Sequence, residues 1–138
     1  MKLQYSSLCF CLLAAFFNVM EEVVPNLVME YADPVAERVN VPGLLEDLHQ
    51  ALLSCGMFEA DSVKSRSYPC HTWLVGAEGD LNTFIHIELS MLSGRSPEQK
   101  RELARSLTAV LEQHASTINS LTVDVRDMDR DSFIKVSC

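Results

Sequence analysis

After Pro25 the sequence sets out one pattern and then repeats it: alternating strand, amphipathic helix, alternating strand. In the first round, residues 26–31 alternate Leu27, Met29 and Tyr31 against Val28 and Glu30, the period of two that a half-buried strand requires. After a polar loop comes "NVPGLLEDLHQALLSCG", residues 40–56, read as a helix. Leu44, Leu45, Leu48, Leu52 and Cys55 form its apolar stripe, Pro42 suits its first turn, and Gly56 is placed to end it. "SVKSRSY", residues 62–68, reads as extended, with Lys64, Arg66 and Tyr68 on one face.

The second round is clearer. "TFIHIELSML", residues 83–92, sets Ile85, Ile87, Leu89 and Met91 against His86, Glu88 and Ser90. "SPEQKRELARSLTAVLEQH", residues 96–114, opens with Ser96 as N-cap, Pro97 at the first helical position and Gln99 to complete a capping box. Leu103, Leu107, Val110, Leu111 and His114 share its inner face. "LTVDVRD", residues 121–127, turns Leu121, Val123 and Val125 inward against Thr122, Asp124 and Arg126.

A β-α-β unit joins parallel strands by a right-handed crossover, so two units meeting edge to edge carry both helices on the same side. The expectation is an α+β domain: one four-stranded sheet with two helices on one face. The other face, with Phe84, Tyr68 and alternating polar groups, has no cover within the chain. In so small a domain, that predicts burial against other subunits.

Composition narrows the partners. The 138 residues, 48% hydrophobic and 22% charged, suit one compact domain. A formal charge of -8, from 19 acidic and 11 basic residues, disfavours nucleic acid, whose binding depends on neutralising phosphates. A small anionic ligand stays compatible, because a few buried cations create a local positive site. Cys9, Cys11, Cys55, Cys70 and Cys138 are odd in number and irregular in spacing, with no C-x-x-C pair, and read as buried or incidental thiols in a reducing compartment. His49, His71, His86 and His114 show no metal spacing, and Cys70 and His71, as strand neighbours, face opposite ways. "DMDRDS", residues 127–132, has Ser132 where a calcium loop needs glycine and no closing Glu, so it reads as a solvated acidic terminus. No metal and no cofactor is expected.

The first 24 residues stand apart. "MKLQYSS" carries one positive charge and "LCFCLLAAFF" is a short apolar run like a signal-peptide core, below the roughly 20 apolar residues of a membrane span. The small-x-small pattern of a cleavage site is missing before Pro25, where Glu22 and Val24 stand, although Ala14 and Ala15 offer small residues upstream. Valine codons also serve as bacterial start codons, and Val24 immediately precedes Pro25. Residues 1–24 are therefore read as a leader or a misassigned start, and residues 25–138 as the domain. The expected location is cytoplasmic, with export, or a membrane association, only if the leader is genuine and retained.

"LSGRSPEQK", residues 92–100, is the most specific string. Gly94 permits a tight turn, and Arg95 is held beside a helix N-terminus, where a guanidinium suits bidentate binding of a carboxylate. Taken alone, a solvated turn arginine is the commoner meaning of such a residue. In company it means more. "GRSPEQK" after an alternating strand resembles the tautomerase superfamily, whose members use an amino-terminal proline. "PNLVMEY", "VPGLLED", "SVKSRSY" and "FIHIELSMLSGRS" resemble, in order and spacing, the 5-carboxymethyl-2-hydroxymuconate isomerase family, from Pro25 to about Asp127.

That resemblance implies a homotrimer of β-α-β-β-α-β subunits and a cofactor-independent isomerase for a small anionic carboxylate. Pro25 would be the general base and acid, and Arg95 would bind a substrate carboxylate. The family has arginine where this chain has Lys64, while Arg66 matches another family arginine; lysine keeps the charge but loses the planar fork, which bears on substrate choice. Phe84 and Trp73 are the candidate apolar walls, although Phe84 also fits core packing. Two rivals stand beside this reading. One is a tautomerase of different substrate choice, and the other is a non-catalytic trimeric binding or structural protein whose Pro25 is blocked by a retained leader.

Overall fold

The computed structural model describes residues 23–136; the reading of residues 1–22 as leader lies outside them. Helix capping and strand alternation account for the main elements. These are β1 (Asn26–Ala32), a single-turn α1 (Val35–Arg38), α2 (Val41–Ser54), β2 (Lys64–Cys70), β3 (Phe84–Leu92), α3 (Pro97–Ala115) and β4 (Ser120–Met128). Helix α2 starts where the Asn40 side chain accepts the Gly43 N–H at 3.2 Å, and the chain leaves it through Gly56 at φ +80°. Helix α3 starts on the expected capping box at Ser96 and Gln99.

The sheet order is β2-β1-β3-β4. β1 runs parallel to β2 and β3 parallel to β4, and the two units join through the antiparallel β1–β3 pair. Both helices lie on one face. There Leu27, Met29, Ile85, Ile87, Leu89 and Met91 are buried beneath Leu44, Leu48 and Leu52 of α2 and Leu103, Leu107 and Leu111 of α3. Leu121, Val123 and Val125 join that core from the edge strand, half-buried. Burying an aliphatic side chain of this size contributes roughly 1.5–3 kcal/mol, so the twice-repeated pattern is also the main source of stability. At the rim, His114 Nε2 meets Asp47 Oδ2 at 2.7 Å and ties α3 to α2.

The register leaves the opposite face polar. Lys64, Arg66 and Tyr68 stand beside Asn26, Val28 and Glu30, and these beside Ser90, Glu88 and His86. His86 Nδ1 lies 2.6 Å from Thr122 Oγ1, and Arg126 bridges Asp124 and Glu88. No described helix covers this face, as the alternation predicts.

Two expectations need correction. Cys55 is not part of the buried stripe: it caps α2, exposed, with its thiol donating to the Leu52 carbonyl at 3.1 Å, because the helix ends before the stripe returns to it. Ser62 is not extended either. It closes a 3-10 turn at Ala60–Ser62, its hydroxyl donating to the Glu59 carbonyl at 2.7 Å, and the strand begins only at Lys64.

Candidate active site

The start of β1 and the end of β3 meet at one end of the sheet, and the Asn26–Ser90 pair fixes the register there. The Leu92 N–H donates to the Val23 carbonyl at 2.8 Å, and the Lys64 N–H to the Pro25 carbonyl at 3.2 Å. Pro25 is thus held between β2 and β3. It is buried, and it lies two residues before Leu27 on the core-facing side of β1. In the chain as described, its nitrogen is the amide nitrogen of the Val24–Pro25 bond. An amide lone pair is delocalised into the carbonyl and is no base near neutral pH. Val23 and Val24 are buried too, and Val24 sits at φ +48°. A β-branched residue in the left-handed region is strained, and this one directly precedes the candidate catalytic residue.

Arg95 arrives at the same end by way of β3. Gly94, at φ +126°, makes the turn that a side chain would resist. Arg95 is half-buried, and its Nε is buried with no hydrogen-bond partner. Leaving a buried donor unmet costs about 1–3 kcal/mol, and more for a charged group. Beside it lies a pocket of about 580 Å³, lined by residues 56–60, Arg95 and Gln99. The capping box occupies the Ser96 and Gln99 N–H groups, and Pro97 has none to give. The Arg95 guanidinium is the cation that this turn presents beside the pocket.

Lys64 and Arg66 belong to the same end of the sheet but face its open side, both exposed. The Arg66 guanidinium lies over the Tyr68 ring, 5.9 Å from its centre. Phe84 and Trp73 are not brought here. β3 runs antiparallel to β1, so Phe84, at its start, lies at the far end of the sheet, roughly 20 Å from Pro25 at about 3.3 Å per strand residue. Trp73 packs half-buried in the loop after β2, its indole N–H donating to the Asn82 carbonyl at 2.8 Å. The pocket-lining Met57 and Phe58 went unread in the sequence, and Gln99 was read only as half of the capping box. Two half-buried apolar residues directly after a helix-ending glycine were the available signal.

Among the described residues, no group of three or more His, Cys, Asp or Glu side chains could hold a metal ion. No described helix is long and apolar enough to cross a membrane.

Two β-α-β units joined by an antiparallel pair, with both helices on one face and β1 opening on a proline, define a tautomerase-superfamily fold. The chain belongs to the 5-carboxymethyl-2-hydroxymuconate isomerase family, whose model matches residues 25–135. It is similar to the 5-carboxymethyl-2-hydroxymuconate Delta-isomerase of Escherichia coli, 23% identical over 95 residues, which are 69% of this chain and 75% of that protein. The crystal structure of a 5-carboxymethyl-2-hydroxymuconate isomerase from Deinococcus radiodurans R1 superposes with a TM-score of 0.77 at 26% identity, covering 88% of this chain and 95% of that one. The fold also matches a "fused 4-OT wild type symmetric trimer", with a TM-score of 0.64 at 19% identity over 81% of this chain and 91% of that one. The expected family and fold hold, and the chain is an isomerase of this superfamily.

Proposed function

We propose that the chain isomerises an unsaturated hydroxy or keto acid of the 5-carboxymethyl-2-hydroxymuconate type, by proton transfer within the substrate and without a cofactor. Such acids belong to the breakdown of aromatic acids. The observation that carries the reading is Arg95, a half-buried guanidinium with an unmet Nε donor at the sheet end where Pro25 opens β1. A substrate carboxylate would pair with that guanidinium and orient the conjugated system toward Pro25.

In the active species Pro25 is the first residue and its nitrogen a secondary amine. The family match beginning at residue 25 supports this. Burial disfavours the ammonium form and lowers the amine pKa toward neutrality, where a base works best. The amine takes the proton of the dienol hydroxyl, the electrons shift along the conjugated chain, and the ammonium returns a proton to its far carbon. Arg95 offsets the negative charge that passes through the substrate.

The uncovered polar face and the trimeric neighbour support a homotrimer. In a trimer, Lys64 and Arg66 would serve a neighbour's site across that face, and Phe84 and Trp73 would join a site only from another subunit. Light scattering that returned a stable monomer at micromolar concentration would remove this part of the reading. The free thiols of Cys55 and Cys70 suit a reducing, cytoplasmic location.

One observation favours the rival, a non-catalytic protein with Pro25 blocked. Val23 and Val24 are buried, and the Val23 carbonyl is bonded to Leu92, so the segment before Pro25 is part of the packed structure. The deciding assay follows the ultraviolet absorbance of 5-carboxymethyl-2-hydroxymuconate and of 2-hydroxymuconate with a chain beginning at Pro25 and no added metal. Turnover above the buffer rate supports the isomerase, and none on either acid overturns it.

A further inference from the structure

Arg130 belongs to the "DMDRDS" stretch that reads as a solvated terminus, yet it reaches back 37 residues to the turn that carries Arg95. Its Nε donates to the Ser93 carbonyl at 2.6 Å. The Ser93 N–H in turn donates to the Met128 carbonyl at 3.0 Å, so residues 128–130 grip Ser93 by both of its backbone groups. The guanidinium lies close over Gly94: a Cβ built on that glycine would stand 3.4 Å from Arg130 Nη2 and 3.9 Å from its Nε. On the other side of Arg95, Ser96 is fixed by the capping box, its N–H donating to Gln99 Oε1 at 2.9 Å. Arg95 therefore hangs between two anchored residues, with one positive-φ glycine separating it from the Ser93 clamp.

We propose that Arg130 is a positioning residue for Arg95. By holding the Ser93 carbonyl and lying against Gly94, it sets the turn that keeps the Arg95 guanidinium in its half-buried place beside the pocket. It acts through the backbone of Ser93 and not by touching substrate. This rests on the proposed role of Arg95 as the carboxylate anchor. Because Arg130 acts on the placement of an anchor, its loss should weaken substrate binding more than the chemical step. Because the Ser93 contact is a hydrogen bond to a carbonyl, a neutral donor should replace it there.

The test compares Arg130→Ala, Arg130→Gln and Arg130→Lys with Arg95→Ala. The first readout needs no activity. In the full chain, proton exchange at Arg95 Nε, followed by NMR, should quicken about tenfold in Arg130→Ala as the turn loosens, and stay near the parent rate in Arg130→Gln and Arg130→Lys. The second is the kinetics on 2-hydroxymuconate, in the form of the chain that turns it over. There Arg130→Ala should lower kcat/KM about tenfold, mostly through KM, against a loss of roughly two to three orders of magnitude for Arg95→Ala. Parent-like exchange and kinetics in Arg130→Ala, alongside the loss in Arg95→Ala, would overturn the positioning role and leave the isomerase reading standing. Arg130→Gln as impaired as Arg130→Ala, with Arg130→Lys restored, would also overturn it, because charge rather than the Ser93 bond would then be what counts. If Arg95→Ala itself keeps full turnover, the anchor is misassigned, and this inference falls with it.

Discussion

Ser96 and Gln99 satisfy each other at the head of α3: the Gln99 N–H donates to Ser96 Oγ at 3.1 Å, and the Ser96 N–H donates to Gln99 Oε1 at 2.9 Å. Two donors that the helix cannot satisfy itself are met within four residues, one position after Arg95. Replacing an N-cap hydroxyl by alanine typically costs about 1 kcal/mol. Ser96→Ala should therefore lower stability by about that amount, read from the urea midpoint at fixed protein concentration. An unchanged midpoint would mean that the cap contributes nothing to the folded state.

The open face makes a second prediction, through Lys64. It starts β2 at the Pro25 end of the sheet and is exposed. If it supplies charge to a neighbour's site, Lys64→Ala should lower kcat/KM on 5-carboxymethyl-2-hydroxymuconate by roughly tenfold, the scale of one lost charged contact. Lys64→Arg should hold or raise it, since the planar fork binds carboxylates at two points. Equal rates in all three proteins would make Lys64 a plain surface residue.

The sequence made some of this legible and hid the rest, and the division follows from range. Ile85, Ile87, Leu89 and Met91 announce a strand by strict alternation, and Ser96 with Gln99 announces a helix start, because both signals lie within a few residues. The β-α-β repeat then limits the topology to few choices, and the observed order β2-β1-β3-β4 is among them. Cys55 fits the helical period but falls beyond the last turn, a boundary that periodicity does not mark. Residues 129–132 are exposed, as read, but the contact that Arg130 makes went unforeseen for a deeper reason. Its partner, Ser93, is 37 residues away, and nothing in "DMDRDS" records a contact made only after β4 lies down beside β3. The φ of Val24 is equally invisible, since a buried valine at +48° runs against residue preference.

The two described free cysteines should differ in reactivity. Partial burial raises the Cys70 pKa above its ordinary value, and the nearby Glu30 and Asp33 carboxylates raise it further. Alkylation proceeds through the thiolate, so in the folded protein Cys70 should react more slowly than in the urea-denatured chain at pH 8, and its rate should climb at higher pH. Peptide mapping after iodoacetamide provides the measurement, with the exposed Cys55 as internal reference. Faster labelling of Cys70 in the folded state would contradict the assignment.

The central claim is that the nitrogen of Pro25 does the chemistry, and it is tested most directly by comparing two forms of the protein that differ only in what precedes that residue. One is the full 138-residue chain, in which the nitrogen is an amide. The other begins at Pro25, its initiator methionine removed and its free terminus verified by intact mass. On 2-hydroxymuconate, the shorter chain should turn over with a pH profile reporting an amine pKa below that of an ordinary secondary amine, and the full chain should be nearly inert. Equal kcat/KM for the two forms, each confirmed by mass before and after the assay, would contradict the account.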